Sequence, residues 1–63
     1  MPRIAGVDVP KQKQIQIALT YIYGVGRQTA QQILEEAGIE EARRAGTLSE
    51  QEVARIQNII FKD

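Results

Sequence analysis

The sequence predicts a small all-α domain of three helices behind an extended N-terminal arm. Three observations lead there. Apolar residues recur at i, i+3, i+4 and i+7 in two successive segments, first Ile15, Ala18, Leu19 and Ile22, then Ala30, Ile33, Leu34 and Ala37. A glycine stands close behind each stripe, Gly24 and Gly38, where left-handed backbone commonly ends a helix. Ser49-Glu50-Gln51-Glu52 then reads as a capping box, in which the Ser49 hydroxyl accepts from the N–H of residue 52 and Glu52 reaches back to the N–H of Ser49.

Taken in order, residues 1–11 form the arm. Its stretch Arg3-Ile4-Ala5-Gly6-Val7-Asp8-Val9-Pro10 is partly β-branched, interrupted by Gly6 and closed by Pro10, so a few strand-like residues are expected and no helix. The first helix is expected over 12–23, with Ile17 and Tyr23 widening its stripe, and the second over 27–37. Gly38 takes the C′ position of the second helix, and Ile39 at C″ folds back toward Leu34 at C3. Residues 12–38 thus make one unit of two helices and a turn. Residues 39–48 read as a charged connector with Gly46 near its end. The third helix is expected over 49–61, with Val53, Ile56, Ile59 and Ile60 facing inward. The triplet Ile59-Ile60-Phe61 sits two residues from the end. It either closes the core or leads into more protein, and it is a candidate for self-association. We expect a truncated or unusually short chain.

Sixty-three residues allow one domain. A folded surface of about 4,100 Å² against about 10,300 Å² unfolded means that folding buries only about 60% of the chain, a marginal domain if it stands alone. Eighteen Ile, Leu, Val, Met and Phe residues suffice for one thin core but not for an enclosed substrate cavity as well. Without Cys, neither a disulfide nor a thiolate metal site can form, and without His the commonest general base and metal ligand are missing. No nucleophile–base pair can be assembled, so no enzyme activity, metal or cofactor is expected. No apolar run reaches the ~18 residues of a membrane span, and Met1-Pro2-Arg3-Ile4 lacks the apolar stretch of a signal peptide. A soluble intracellular module is expected, with no membrane partner.

The net charge is zero, yet it is unevenly placed. Residues 1–31 set Arg3, Lys11, Lys13 and Arg27 against Asp8 alone, a net of +3. Residues 32–63 carry four cations and seven carboxylates, a net of −3. The chain can therefore offer a positive end to phosphate, although solvation of two helix faces would explain the same pattern.

The segment that carries chemistry is Tyr21-Ile22-Tyr23-Gly24-Val25-Gly26-Arg27-Gln28-Thr29-Ala30. Two amphipathic helices flank a connector of a few residues. Gly24 lets the chain reverse through positive φ, Gly26 lets backbone approach a partner, Val25 points inward, and Ala30 lets the helices cross closely. This is a helix-hairpin-helix motif. The N–H groups of Val25, Gly26, Arg27 and Gln28 are expected to lie unpaired at the start of the second helix, where the helix dipole favours an anion. Arg27 adds a formal charge and Thr29 a hydroxyl. The arm's cations Arg3, Lys11 and Lys13 complete the set of candidate nucleic-acid contacts: backbone binding without base readout. A purely structural tight turn is the serious competitor. A dinucleotide fingerprint is disfavoured, because it needs a third glycine where Thr29 stands and a strand before Gly24.

Other residues carry weaker signals. Glu35-Glu36 and Glu40-Glu41 are adjacent pairs, which do not face each other on a helix, and are read as solvated surface. Tyr21 and Tyr23 are read as packing residues, Tyr23 the more firmly, with base stacking as the alternative. Arg43-Arg44 is balanced between phosphate contact and pairing with nearby carboxylates.

Arg3-Ile-Ala-Gly-Val-Asp-Val-Pro10, Ile17-Ala-Leu-Thr-Tyr-Ile-Tyr-Gly-Val-Gly26 and Leu48-Ser49-x-x-x-Val53 together closely resemble the N-terminal domain of the bacterial small-subunit ribosomal protein S-thirteen family. The resemblance covers nearly the whole chain. It implies a place in the head of the small subunit, bound to 16S ribosomal RNA, with a large-subunit protein near enough to form an intersubunit bridge. It carries the family's hairpin role onto Gly24, Val25, Gly26 and Arg27. It implies a cytoplasmic ribosome, and an organellar one stays open. Two departures stand out. The family's long C-terminal helix and basic tail, which reach toward transfer RNA, are absent from these residues. The family's basic cluster at the start of the first helix is reduced to Lys11 and Lys13, diluted by Gln12, Gln14 and Gln16. Two other classes remain: a helix-hairpin-helix module holding DNA backbone, separable by RNA-against-DNA preference, and a protein-interaction module that self-associates and ignores phosphate.

Overall fold

The computed structural model describes residues 3–22 and 24–62. Its elements, in chain order, are β1 (Arg3–Ile4), β2 (Val7–Asp8), α1 (Ile15–Leu19), α2 (Arg27–Ala37), a 3₁₀ turn at Ala45–Thr47, and α3 (Glu50–Phe61). The domain is mostly helical. The second helix packs against both others, and β1 lies against α3.

The N-terminal segment is more structured than an extended arm. Arg3 pairs with Asp8 and Ile4 with Val7 in an antiparallel hairpin. Ala5 and Gly6 form its two-residue turn with φ of +54° and +79°, the two positive values that match the right-handed twist of flanking strands. Ile4 and Val9 are fully buried in the shared core, which is what holds the segment down. The short β-branched run was visible in the sequence. The turn was disguised by Ala5, a residue that seldom takes positive φ.

The first helix is shorter than its apolar stripe. Residues 12–14 are not helical, because long-range pairing claims them. Ile15 N–H donates to the Arg43 carbonyl at 2.6 Å, Ala45 N–H to Lys13 at 2.9 Å and Gly46 N–H to Lys11 at 2.9 Å, around an antiparallel bridge between Gln14 and Arg44. The expected connector is therefore half of a small pairing, not a free loop. Beyond Leu19 the chain tightens. Thr20, Tyr21 and Ile22 each donate to the carbonyl three residues back, at 3.0–3.1 Å, and the Thr20 hydroxyl bonds the Ile17 carbonyl at 2.6 Å. This 3₁₀-like stretch still buries Ile22, so the stripe is kept while the α-helical pattern is lost. The expected packing role of Tyr23 falls outside the described residues.

The second helix matches its expected bounds. Ala30, Ile33, Leu34 and Ala37 are its buried residues. Gly38 ends it at φ +73°, with Gly38 N–H on the Glu35 carbonyl at 3.2 Å and Ile39 N–H on Leu34 at 3.0 Å, a Schellman cap with both Ile39 and Leu34 buried. The third helix has the expected box: Ser49 N–H donates to Glu52 Oε1 at 2.8 Å and Glu52 N–H to Ser49 Oγ at 3.1 Å. Only Ile56 on this helix is fully buried; Val53, Ile59 and Ile60 pack partly against the core. Phe61 is 68% exposed. The triplet therefore closes the core only in part. No helix among the described residues is long and apolar enough to cross a membrane.

Candidate nucleic-acid interface

The turn between α1 and α2 is built by Gly24. Val25 N–H returns to the Ile22 carbonyl at 3.0 Å, and Gly24 within that turn has φ +85°, a value an L side chain rarely adopts. Val25 itself is half-buried against the core, as expected. Its N–H is paired within the turn, so it drops out of the expected set of free donors.

Gly26 is a different case. It caps α2 with φ −87° and ψ −178°, extended backbone that any residue adopts. A Cβ built on Gly26 would meet nothing within 4 Å. The fold therefore asks for glycine at 24 but not at 26.

The first intrahelical bond of α2 runs from Ala30 N–H to the Gly26 carbonyl at 2.9 Å. Among the described residues, the N–H groups of Gly26, Arg27, Gln28 and Thr29 have no acceptor. Gly26 has no side chain to cap them, and the first turn of α2 has no carboxylate. The side chains of Arg27, Gln28 and Thr29 are all exposed. Arg27 has no ion-pair partner among the described residues. The result is an open cluster of donors at the positive end of a helix dipole, with one guanidinium beside it. Tyr21, expected to pack, is 55% exposed on the approach to the same turn, because the tightened backbone after Leu19 turns Ile22 inward instead.

The arm's cations are not all joined to this cluster. Arg3 is tied within its hairpin, with Nε 3.3 Å from Asp8 Oδ1 and Nη2 donating to the Gly6 carbonyl at 3.3 Å. It borders a shallow surface groove with Leu48, Glu50, Val53, Ala54 and Gln57, against α3. No hydrogen bond or ion pair among the described residues joins it to 24–29. Lys11 and Lys13 are exposed on the segment paired with 43–46.

The two neighbouring arginines separate. Arg43 Nη1 and Nη2 reach Glu52 Oε2 and Oε1 at 2.5 and 3.1 Å, and Nη2 also donates to the Thr47 carbonyl at 2.8 Å. The bidentate guanidinium and the Ser49 N–H together lower the Glu52 carboxyl from 4.5 to about 2, and the same pairing raises Arg43 above its ordinary value. Arg44 goes the other way and donates from Nη1 to the Gln12 carbonyl at 2.9 Å. Sequence alone had no means of separating them, because the partners are nine residues ahead and 32 residues behind. Of the adjacent carboxylates, Glu35, Glu36 and Glu40 are exposed as expected and Glu41 is half-buried; Glu36 is paired with Lys62.

A family model described as ribosomal protein S13/S18 matches residues 3–63. The chain belongs to the ribosomal protein S13/S18 family. It is thereby a ribosomal, RNA-binding protein of the small subunit, part of a ribonucleoprotein that serves translation. Members of the S13/S18 family are structural and typically not enzymes. Membership implies ribosomal RNA and other ribosomal proteins as partners and a ribosome-associated location.

Proposed function

We propose that this S13/S18 chain binds 16S ribosomal RNA in the head of the small subunit through phosphate contacts at the start of α2. The contacts are the N–H groups of Gly26, Arg27, Gln28 and Thr29, with the Arg27 guanidinium and the Thr29 hydroxyl beside them. Gly24 shapes the turn and Val25 anchors it, so the unit works as a helix-hairpin-helix.

The observation that carries this reading is the contrast between the two glycines. Gly24 is demanded by its φ of +85°. Gly26 has ordinary backbone angles and open space where its Cβ would be. A glycine that neither its backbone angles nor the space around it requires, and that serves the fold only as a modest helix cap, fits a partner that comes close to the backbone there. A phosphate fits: it needs unpaired N–H donors and tolerates no side chain between. With Arg27 the one cation in this set, about one phosphate is neutralised, which predicts a salt slope of about −1 for this site on a DNA duplex, a modest grip without base readout.

The test is an amide NMR titration of the labelled chain with a ribosomal RNA head fragment at low and moderate salt. Salt-sensitive shifts centred on Gly26 to Thr29, abolished in Gly26→Val with the rest of the spectrum kept, support the proposal. A dispersed spectrum indifferent to RNA overturns it and favours a protein-interaction role, for which exposed Phe61 would be the contact in a self-associated form. Equal shifts with a DNA duplex would mark a general backbone binder.

A further inference from the structure

Among the described residues, three of the eight Lys and Arg side chains are spent on carboxylates: Arg3 on Asp8, Arg43 on Glu52 and Lys62 on Glu36. Among the described residues, Lys11, Lys13, Arg27, Arg44 and Arg55 have no such partner. Arg27 belongs to the hairpin. Three of the remaining four are brought to one place by the pairing of 11–14 with 43–46.

The placement is tight. Gly46 N–H bonds the Lys11 carbonyl, Ala45 N–H bonds the Lys13 carbonyl, and the Arg44 guanidinium bonds the carbonyl of Gln12, the residue between the two lysines. Gly46 makes the approach possible: a Cβ there would stand 2.9 Å from Lys11 Cβ and 3.2 Å from the Lys11 carbonyl oxygen. Arg44 is held by one N–H, which leaves its other donors free. All three side chains are exposed. Glu52 is bound to Arg43, and among the described residues no ion pair joins a carboxylate to Lys11, Lys13 or Arg44.

We propose that Lys11, Lys13 and Arg44 form a second phosphate-binding edge, separate from the hairpin, that grips a further stretch of RNA backbone. Arg44 is its fixed member and the lysines its mobile ones. The arrangement suits a polyanion, because three exposed cations carried on one small pairing can each meet a phosphate of the same backbone. This inference rests on the chain binding RNA as proposed above, and it assigns to Arg44 the phosphate role that its neighbour Arg43 lacks.

The experiment measures affinity for a ribosomal RNA head fragment across a salt series for the unaltered chain, Arg44→Gln, Lys11→Gln/Lys13→Gln, Arg44→Lys and Gly26→Val. Each phosphate contact removed makes the salt slope shallower by about 1. Arg44→Gln is expected to lose about one contact and the double lysine variant about two, with Arg44→Lys recovering part of the loss. Lys11 and Lys13 donate no side-chain hydrogen bond among the described residues, so their variant reports binding and not folding. Unchanged affinity and slope in both Arg44→Gln and Lys11→Gln/Lys13→Gln overturn the second edge while leaving the hairpin standing. Binding that survives Gly26→Val but falls with the lysines overturns the hairpin and supports the edge. No RNA binding by the unaltered chain overturns both.

Discussion

The backbone N–H of Ala5 donates to Oε1 of Gln57 at 3.0 Å, across 52 positions of the chain. The bond pins the hairpin turn, where Ala5 sits at φ +54°, onto the third helix. Left-handed backbone is unfavourable by about 1–2 kcal/mol for a non-glycine residue, and this bond is one of the contacts that keep it. Gln57→Ala is therefore expected to lower stability by about 1 kcal/mol. The thermal midpoint should fall by about 4–8 °C for each kcal/mol, and the Ala5 amide should exchange faster than the strand amides beside it. A variant with unchanged midpoint and Ala5 protection would show that side-chain burial alone holds the turn.

Gly24 and Gly26 should respond unequally to the same substitution. Gly24→Ala places a Cβ at φ +85° and should destabilise the domain by about 1–2 kcal/mol. Gly26→Ala meets no neighbour and should change stability by less than about 1 kcal/mol, the helix-capping preference for Gly over Ala. Urea unfolding of the two variants decides it; equal losses would remove the distinction on which the hairpin proposal rests.

Glu52 predicts an acid-sensitive domain. Its carboxyl is held at about 2 in the folded chain against an ordinary 4.5. Its contribution is therefore complete above about 4.5 and is lost as pH falls toward 2, when the folded-state carboxylate is protonated. Thermal midpoints measured between pH 6 and pH 2 should decline across that window. Glu52→Gln should be less stable than the parent at neutral pH and should lose less of its remaining stability on acidification. Parallel declines in the two proteins would assign the acid response to other carboxylates.

Gly46→Ala tests the pairing of the two distant segments. Its Cβ would lie 2.9 Å from Lys11 Cβ, against atoms that cannot swing away freely. A loss of about 1–3 kcal/mol is expected, with weakened protection of the Ala45 and Gly46 amides. A fully stable variant with both amides protected would show that the pairing relaxes at little cost.

What the sequence could show was what local rules govern. The apolar spacing of α2, the left-handed stop at Gly38 and the Ser49–Glu52 box depend on residues within a few positions, and all three stand in the structure. The stripe of the first helix was equally periodic, yet residues 12–14 left the helix for partners at 43–46. Periodicity reports which side faces the core, and both backbones satisfy it. The hairpin was hidden because Ala5 is a poor turn residue by local preference. The divergence of Arg43 and Arg44 was hidden because each finds its partner on a different segment. Of the candidate site, the positive φ at Gly24 and the half-burial of Val25 follow from local rules, whereas the pairing of the Val25 N–H within the turn and the engagement of Arg3 in its own hairpin do not.

The tie between Ala5 and Gln57 also sets an order of events. A strand near the start of the chain finds its cover on the third helix, so Ile4 has no complete shelter until α3 has been made and has docked. Such a domain is expected to complete its fold only after all of it has emerged during synthesis. Its first two helices can pair before that, and closure of the hairpin onto α3 is expected as the later step.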